Sequence, residues 1–311
     1  MTRTSRAVAA ALGVAATAGL GAFAYGAAVE RKRYTLRTAT VPVLPPGAAD
    51  IRVLHLSDLH MAPWQRDKQA WVRALARFDP HLIVDTGDNL GHRDGLRGVQ
   101  AALDVFHGVP GVYVNGSNDY FGPTFKNPLR YFMGPSKHAH EAERLDTAAL
   151  ESYFASLGWQ GLNNAAATVE IDGTIIDFFG VDDPHRHFDR LDRIPGALDE
   201  LREEDDRGPR LTVGVAHAPY QYVLNSFVTH GAELIFAGHT HGGQVCVPGY
   251  GALVTNCDIP RRQVKGLSLW RHGFHSAFLN VSAGLGTSIY APVRFACPPE
   301  ASLLTLTARS R

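Results

Sequence analysis

Short apolar runs at Ile51–Leu56, 82–84, 112–114, 211–216 and Leu234–Ala237 are rich in Val, Leu and Ile, and each has the length of a buried strand. Between several of them apolar residues recur at three- and four-residue spacing, which predicts helices over 68–78, 96–106, Thr147–Leu157 and 220–230. The runs at 168–170 and 174–179 flank Asp172-Gly173, a hairpin turn dipeptide, so antiparallel strands stand among the others. The chain therefore reads as α/β, with one mixed sheet or two. Residues 34–44 mix β-branched and polar side chains and are stopped by Pro42, Pro45, Pro46 and Gly47, the pattern of an edge strand with a linker over 31–50. The main body then runs over 51–311.

Ahead of that body, residues 7–29 carry no charge and include 11 Ala and 4 Gly. At about 1.5 Å per residue such a stretch is long enough, as a helix, for a bilayer core. Residues 1–30 are thus expected to be a single-pass membrane anchor. The rival is a cleaved signal peptide, with Arg3 and Arg6 as its basic end and Ala22-Phe23-Ala24 as a small-x-small site. Arg31, Lys32, Arg33 and Arg37 follow the segment, so the distribution of positive charge leans slightly toward a cytoplasmic body. No Arg-Arg pair precedes the apolar run, which argues against twin-arginine export.

Composition narrows the function. Lys plus Arg and Asp plus Glu are 30 each, so no bulk charge draws the protein to nucleic acid, and no such partner is indicated. Cys246, Cys257 and Cys297 show no C-x-x-C spacing, which excludes a thiolate zinc site of that kind and a disulfide framework. There are 15 His, more than packing accounts for, and several follow the apolar runs.

Five polar motifs sit at the C-terminal ends of five expected strands: Ser57-Asp58-Leu59-His60, Asp85-Thr86-Gly87-Asp88-Asn89, Asn115-Gly116-Ser117-Asn118-Asp119, His217, and Gly238-His239-Thr240-His241-Gly242-Gly243-Gln244. That edge of an open α/β sheet is where ligand crevices form. Asp58/His60 and His239/His241 are i, i+2 pairs, and extended backbone at that spacing places both side chains on one face. Each motif alone is ordinary. Together they describe a metal centre of imidazole and carboxylate, a donor set suited to Mn, Fe, Zn or Ni. Four histidines and several carboxylates over-supply one ion. Two divalent or trivalent ions sharing a carboxylate fit better, an arrangement typical of phosphate-ester hydrolysis.

The order Asp58-x-His60, Gly87-Asp88, Gly116-Ser117-Asn118-Asp119, His217, Gly238-His239-x-His241 resembles the calcineurin-like metallophosphoesterases, and more closely their membrane-associated bacterial branch. The resemblance extends over residues 51–311 and includes Gly284-Leu285-Gly286-Thr287-Ser288 and Pro292-Val293-Arg294-Phe295. It implies a four-layer α/β/β/α sandwich of two mixed sheets, preceded here by the transmembrane helix. It further implies that Asp58, His60, Asp88 and His241 hold one ion, with Asp88 bridging to a second held by His217, His239 and an amide oxygen of the third motif. The reaction implied is attack by a metal-bound hydroxide on a phosphodiester, pyrophosphate or phosphomonoester. The third motif departs from the family's Gly-Asn-His-Asp/Glu. Strict alignment offers Ser117 to the metal, while a one-residue shift brings Asn118, the better neutral ligand, and in either register the histidine that assists the leaving group is missing. His92, His185 and His187 are the replacement candidates, and Asn89 either orients substrate or caps its turn. The long connection 120–146, with Phe121, Phe125, Tyr131 and Phe132 among Lys126, Arg130, Lys137 and Arg144, suits a lipid-linked phosphate ester at the membrane. The competing class is a binding or scaffold protein that keeps the fold and has lost turnover through the third motif.

Overall fold

Alternation of strand and helix runs through the computed structural model, which describes residues 3–123, 142–204, 208–287 and 289–310. The elements, in chain order, begin with α1 (Arg3–Ala28), β1 (Thr35–Leu44), β2 (Ile51–Leu56), α2 (Arg66–Ala74), β3 (Leu82–Asp85), α3 (Gly95–Leu103) and β4 (Gly111–Tyr113). There follow α4 (Ser117–Tyr120), α5 (Thr147–Leu157), β5 (Trp159–Gly161), β6 (Ala165–Ile171), β7 (Thr174–Gly180), α6 (Ile194–Glu204) and β8 (Arg210–Val215). The chain closes with α7 (Gln221–Thr229), β9 (Leu234–Ala237), β10 (Cys246–Val247), β11 (Gly251–Ala252), β12 (Gly266–His272), β13 (His275–Val281) and β14 (Glu300–Ala308).

Two six-stranded sheets result, ordered β1-β14-β2-β3-β4-β5 and β12-β13-β9-β8-β7-β6. Both are mixed. In the first, β14 runs antiparallel to β2 and parallel to β1. In the second, the hairpins β6/β7 and β12/β13 flank the parallel trio β7, β8 and β9. Asp172 and Gly173 form the tip of the β6/β7 hairpin, both at positive φ, with Ile171 paired to Thr174. Tight turns of this kind require positive φ, which Gly and Asp adopt at low cost.

Apolar faces decide the layering. Val53, Val84 and Val112 of the first sheet meet Ile176, Phe178, Val213 and Phe236 of the second, an apolar core between the sheets. The outer face of the first sheet is covered by α2, α3 and α5 through Val72, Val99, Leu150 and Phe154. The second is covered by α6 and α7 through Leu198, Val223 and Phe227. This is the four-layer α/β/β/α sandwich. The edge strand expected at 34–44 forms as β1 and lies in the first sheet, in register with β14 from Thr35 to Pro42, with a register shift before Leu44. The helices expected at 68–78 and 96–106 each end in a 3-10 turn, at Leu75–Phe78 and Asp104–Phe106.

Helix α1 leaves Leu12, Val14, Leu20 and Phe23 exposed, and the span Leu12–Lys32 is long and apolar enough to cross a membrane by length and composition. Its end is tied to the sandwich. Tyr25 meets the Phe295 ring edge-on at 6.4 Å, and the buried Glu30 carboxylate accepts the backbone N–H groups of Ala296 and Cys297 at 3.0 and 2.7 Å. Of the 120–146 connection, residues 124–141, with Phe125, Lys126, Arg130, Tyr131, Phe132 and Lys137, lie outside the described residues.

Phe236 fills the space between the sheets and Phe274 projects from the tip of β12/β13, fully exposed. Chemical unfolding of the full chain should show Phe236→Ala losing about 3 to 5 kcal/mol of stability and Phe274→Ala less than about 0.5.

Candidate metal centre

Strands β2, β3 and β4 of one sheet and β8 and β9 of the other end at the same rim, and the five motifs follow them there. The two sheets are stitched together at this point by polar contacts. His217 Nδ1 donates to the Thr86 carbonyl at 2.7 Å, and the His239 backbone N–H donates to Asp58 Oδ2 at 3.0 Å. The sequence-predicted residues Asp58, His60, Asp88, Asn118, His217, His239 and His241 are all brought together.

The i, i+2 pairs do not converge through extended backbone. Asp58, His60, His239 and His241 are not extended; their φ values are 48°, 39°, 66° and 49°, and Asp88 has φ 58°. Left-handed conformation at a non-glycine residue costs about 1 to 3 kcal/mol and persists only where the surroundings fix it. The side chains converge because the left-handed residues curl each loop inward. Three buried charged residues fix these loops, a role that spacing along the chain does not reveal. Asp119, fully buried, accepts the backbone N–H groups of Asp88, Asn89, Leu90 and Gly116. Arg294, also fully buried, donates to the carbonyls of Ala283, Gly284 and Gly286 and reaches His241 Nδ1 at 3.4 Å. Buried Lys68 donates to the Leu59 carbonyl at 2.5 Å. Asp119 belongs to the third strand-end motif, Arg294 to the segment 292–295 and Lys68 to the helix expected at 68–78, but only their partners disclose what they hold.

Asp58 is held by a directed relay. Asn280 Nδ2 donates to His55 Nδ1, His55 Nε2 donates to Thr86 Oγ1, Thr86 donates to Ser57 Oγ, and Ser57 donates to Asp58 Oδ2, over 2.8, 3.0, 2.7 and 2.5 Å. Burial pushes His55 down to about 3, which keeps the imidazole in the neutral form this relay requires. Asp58 Oδ2 is thereby satisfied. Asp58 Oδ1 is buried with no hydrogen-bond partner, 3.5 Å from His241 Nε2.

Around that orphaned oxygen the imidazoles face one another. His60 Nε2 lies 3.3 Å from His241 Nε2, and His217 Nε2 lies 3.3 Å from His239 Nδ1. Asp88 stands between the two pairs, with Oδ2 3.6 Å from His60 and Oδ1 3.5 Å from His217. Two groups, Asp58/His60/His241 and Asp58/Asp88/His217, bring their donor atoms within 4.8 Å of one another. A buried carboxylate oxygen without a donor, beside converging nitrogens, is an arrangement a cation resolves. The residues fit divalent metal.

The third motif divides its two candidates. Ser117 Oγ donates to Asp183 Oδ2 at 2.5 Å, whereas Asn118 lays its amide on Asp88, with Nδ2 2.6 Å from Oδ2 and the backbone N–H 2.7 Å from Oδ1. A half-turn of that amide exchanges Nδ2 for Oδ1 beside the Asp88 carboxylate. Of the three spare histidines, His185 alone reaches the cluster, its ring 4.5 Å from that of His239 and its Nδ1 2.9 Å from Tyr220 Oη. His92 packs against Trp64 and Asp94, and His187 is exposed. Asn89 donates to Asp85 Oδ1, holding its own turn.

Burial pushes the Asp58 carboxyl up to about 6 and the His60 imidazole down to about 4, and it holds His239 and His241 well below the usual range. Burial alone would raise Asp88, but the charge of His217 and its hydrogen bond hold that carboxyl well below the ordinary value. Likewise burial opposes charge on His217, yet Asp88 and Asp58 raise it well above. Metal-free protein therefore keeps a proton on His217 at neutral pH, where a metal ion would replace it. Titrating metal-free protein with Mn²⁺ at pH 7 should release a proton, measurable without buffer. Asp58, protonated below about 6, adds a second proton to displace as pH falls, so affinity should drop by about tenfold per pH unit for each proton displaced. A Cβ at Gly238 would collide with the Ser57 hydroxyl and lie 2.6 Å from Asp58 Oδ2. Gly238→Ala should accordingly lower bound metal, read by elemental analysis, in a chain that still folds.

The family model described as calcineurin-like phosphoesterase matches residues 51–243. A metallophosphoesterase of Bacillus subtilis (strain 168), YkuE, is 23% identical over 89% of this chain and 85% of its own length. A transmembrane protein with metallophosphoesterase domain from Bos taurus is 25% identical over 67% of this chain and 44% of its own. Among solved structures, TT1561 of Thermus thermophilus aligns over 76% of this chain and 91% of that one, at 14% identity and a TM-score of 0.44. With the family model covering more than half its residues, the chain belongs to the calcineurin-like phosphoesterases.

Proposed function

We propose that the protein is a phosphoric ester hydrolase that works with two metal ions held at the rim where the two sheets meet. Asp58, His60, Asp88 and His241 would hold the first, and Asp88 with His217, His239 and the Asn118 amide oxygen would hold the second. The observation that carries this reading is the orphaned Asp58 Oδ1 amid facing imidazole nitrogens, all supplied by motifs of the phosphoesterase family. When bound, such ions make water nucleophilic at neutral pH and neutralise the phosphoryl oxygens. The protein's own groups do the rest. The Thr86 carbonyl fixes the His217 tautomer through Nδ1, leaving Nε2 free for a ligand role, and the relay from Asn280 holds Asp58 in one rotamer. The third motif, which meets Asp88 through Asn118, supplies no histidine to protonate a leaving group. An amide stands there, and an amide donates no proton to an alkoxide.

The apolar α1 and the bovine transmembrane relative support a single-pass placement at a membrane, and with it phosphate esters that include lipid-linked ones. Substrates with good leaving groups should be preferred.

The test is hydrolysis of an activated aryl phosphodiester by the full chain in detergent, loaded with Mn²⁺. His239→Ala should cost at least about 100-fold, since loss of groups that merely orient metal ligands costs about 10- to 100-fold. Alkyl esters of the same phosphate should be cleaved about 10²- to 10⁴-fold more slowly than aryl esters, the factor a general acid contributes. Turnover that survives His239→Ala would refute the two-ion site. A folded, metal-loaded chain without turnover would make it a binding protein, with the altered third motif at Ser117 and Asn118 as the cause.

A further inference from the structure

The 3-10 turn Pro184–Arg186 lies over the second half of the metal centre, and each of its polar residues addresses a different motif. Asp183 caps the turn, accepting the His185 backbone N–H at Oδ1 and the Ser117 hydroxyl at Oδ2. His185 faces His239. Arg186 is the residue left over. Its guanidinium lies against the Phe121 ring, 4.2 Å from the centroid, and the charges that act on it are those of Asp183 and Asp88. Neither carboxylate is within ion-pair distance among the described residues, and Arg186 Nε is buried without a hydrogen-bond partner.

A half-buried guanidinium with an orphaned N–H carries a desolvation cost that a bound anion would offset. A second cation makes the case stronger: Arg144 approaches the same Phe121 ring, at 5.7 Å, so two positive groups share one aromatic platform. Phe121 lies two residues beyond the third motif, and its backbone N–H bonds to the Ser117 carbonyl, which ties the platform to that motif. A planar fork, held by stacking and near enough to feel the Asp88 charge, matches the oxygens of a phosphoryl group.

We propose that Arg186 is a phosphate-binding residue of the metal centre, and that it favours substrates ending in a doubly charged phosphoryl group, phosphomonoesters or terminal pyrophosphates, over phosphodiesters. The preference follows from counting oxygens. A diester has two non-bridging oxygens, and the ions held by the metal ligands would neutralise both. A monoester or terminal pyrophosphate has a third, and the extra negative charge finds its counterion in Arg186. This assignment rests on the hydrolase reading only for the ester preference; the anion site itself does not require turnover.

The experiment uses the full chain, metal-loaded in detergent, as wild type, Arg186→Gln and Arg186→Lys. Binding of inorganic phosphate is measured by calorimetry, metal content by elemental analysis, and kcat/KM on an aryl phosphomonoester and an aryl phosphodiester. Arg186→Gln should weaken phosphate binding by about 10- to 100-fold, the range for a hydrogen bond to a charged group, and lower the monoester-to-diester ratio at least about tenfold. Arg186→Lys, which keeps the charge and loses the fork, should fall between, and metal content should stay at the wild-type level. Phosphate affinity and ester ratio within about twofold of wild type in Arg186→Gln would overturn the proposal, as would loss of metal from both variants, which would make the residue structural. Should wild type bind phosphate through Arg186 and cleave neither ester, the anion site stands and the hydrolase reading fails.

Discussion

Everything at the rim of this sandwich is organised around buried charge that lacks a partner. Asp58 Oδ1 has no donor, His60 faces His241 and His217 faces His239 at 3.3 Å, and Asp88 lies between the pairs. In a folded interior such a cluster is unfavourable by several kcal/mol unless a cation or protons occupy it. The protein answers in two ways. It shifts the protonation of the groups in opposite directions, raising Asp58 and His217 and depressing His60, His239 and His241, and it places donor atoms where metal ions complete them.

Keeping the cluster together requires a rigid frame, because five of the seven candidate residues sit at positive φ. Their loops are held by buried charged groups: Asp119 gathers four backbone N–H groups, Arg294 gathers carbonyls from the segment after β13, and Lys68 holds the loop after β2. Small residues allow the approach. A Cβ at Gly284 would lie 2.5 Å from Asp58 Cβ, and one at Gly286 would lie 2.6 Å from His60 Cβ. The frame extends to the end of the apolar helix α1, since Glu30 fixes the backbone beside Arg294 and Arg294 reaches His241. Helix end and candidate ligand His241 are thus two contacts apart.

Much of this was legible in the chain. The apolar runs gave the buried strands, Asp172-Gly173 gave a hairpin with the expected pairing, and the strand-end motifs gave every residue of the cluster, because period and turn chemistry are local properties. The strands β5, β12, β13 and β14 carry weaker patterns, half exposed or interrupted by polar residues, and are specified by their neighbours in the sheets. The spacing of Asp58/His60 and His239/His241 pointed to the right residues for the wrong reason, since left-handed turns and not extended backbone bring them to one face.

The sequence by itself determined the α/β class, the apolar N-terminal segment, the lack of C-x-x-C spacing and the identity of the histidines and carboxylates. Those depend on residue type and spacing along one stretch of chain. Tertiary structure alone decided that Ser117 turns to Asp183 while Asn118 lies on Asp88, that His185 and not His92 or His187 meets the cluster, and that Arg186 is stacked beside it. These are contacts between residues 30 or more positions apart, set by which loops two facing sheets bring to one rim. No local pattern encodes them.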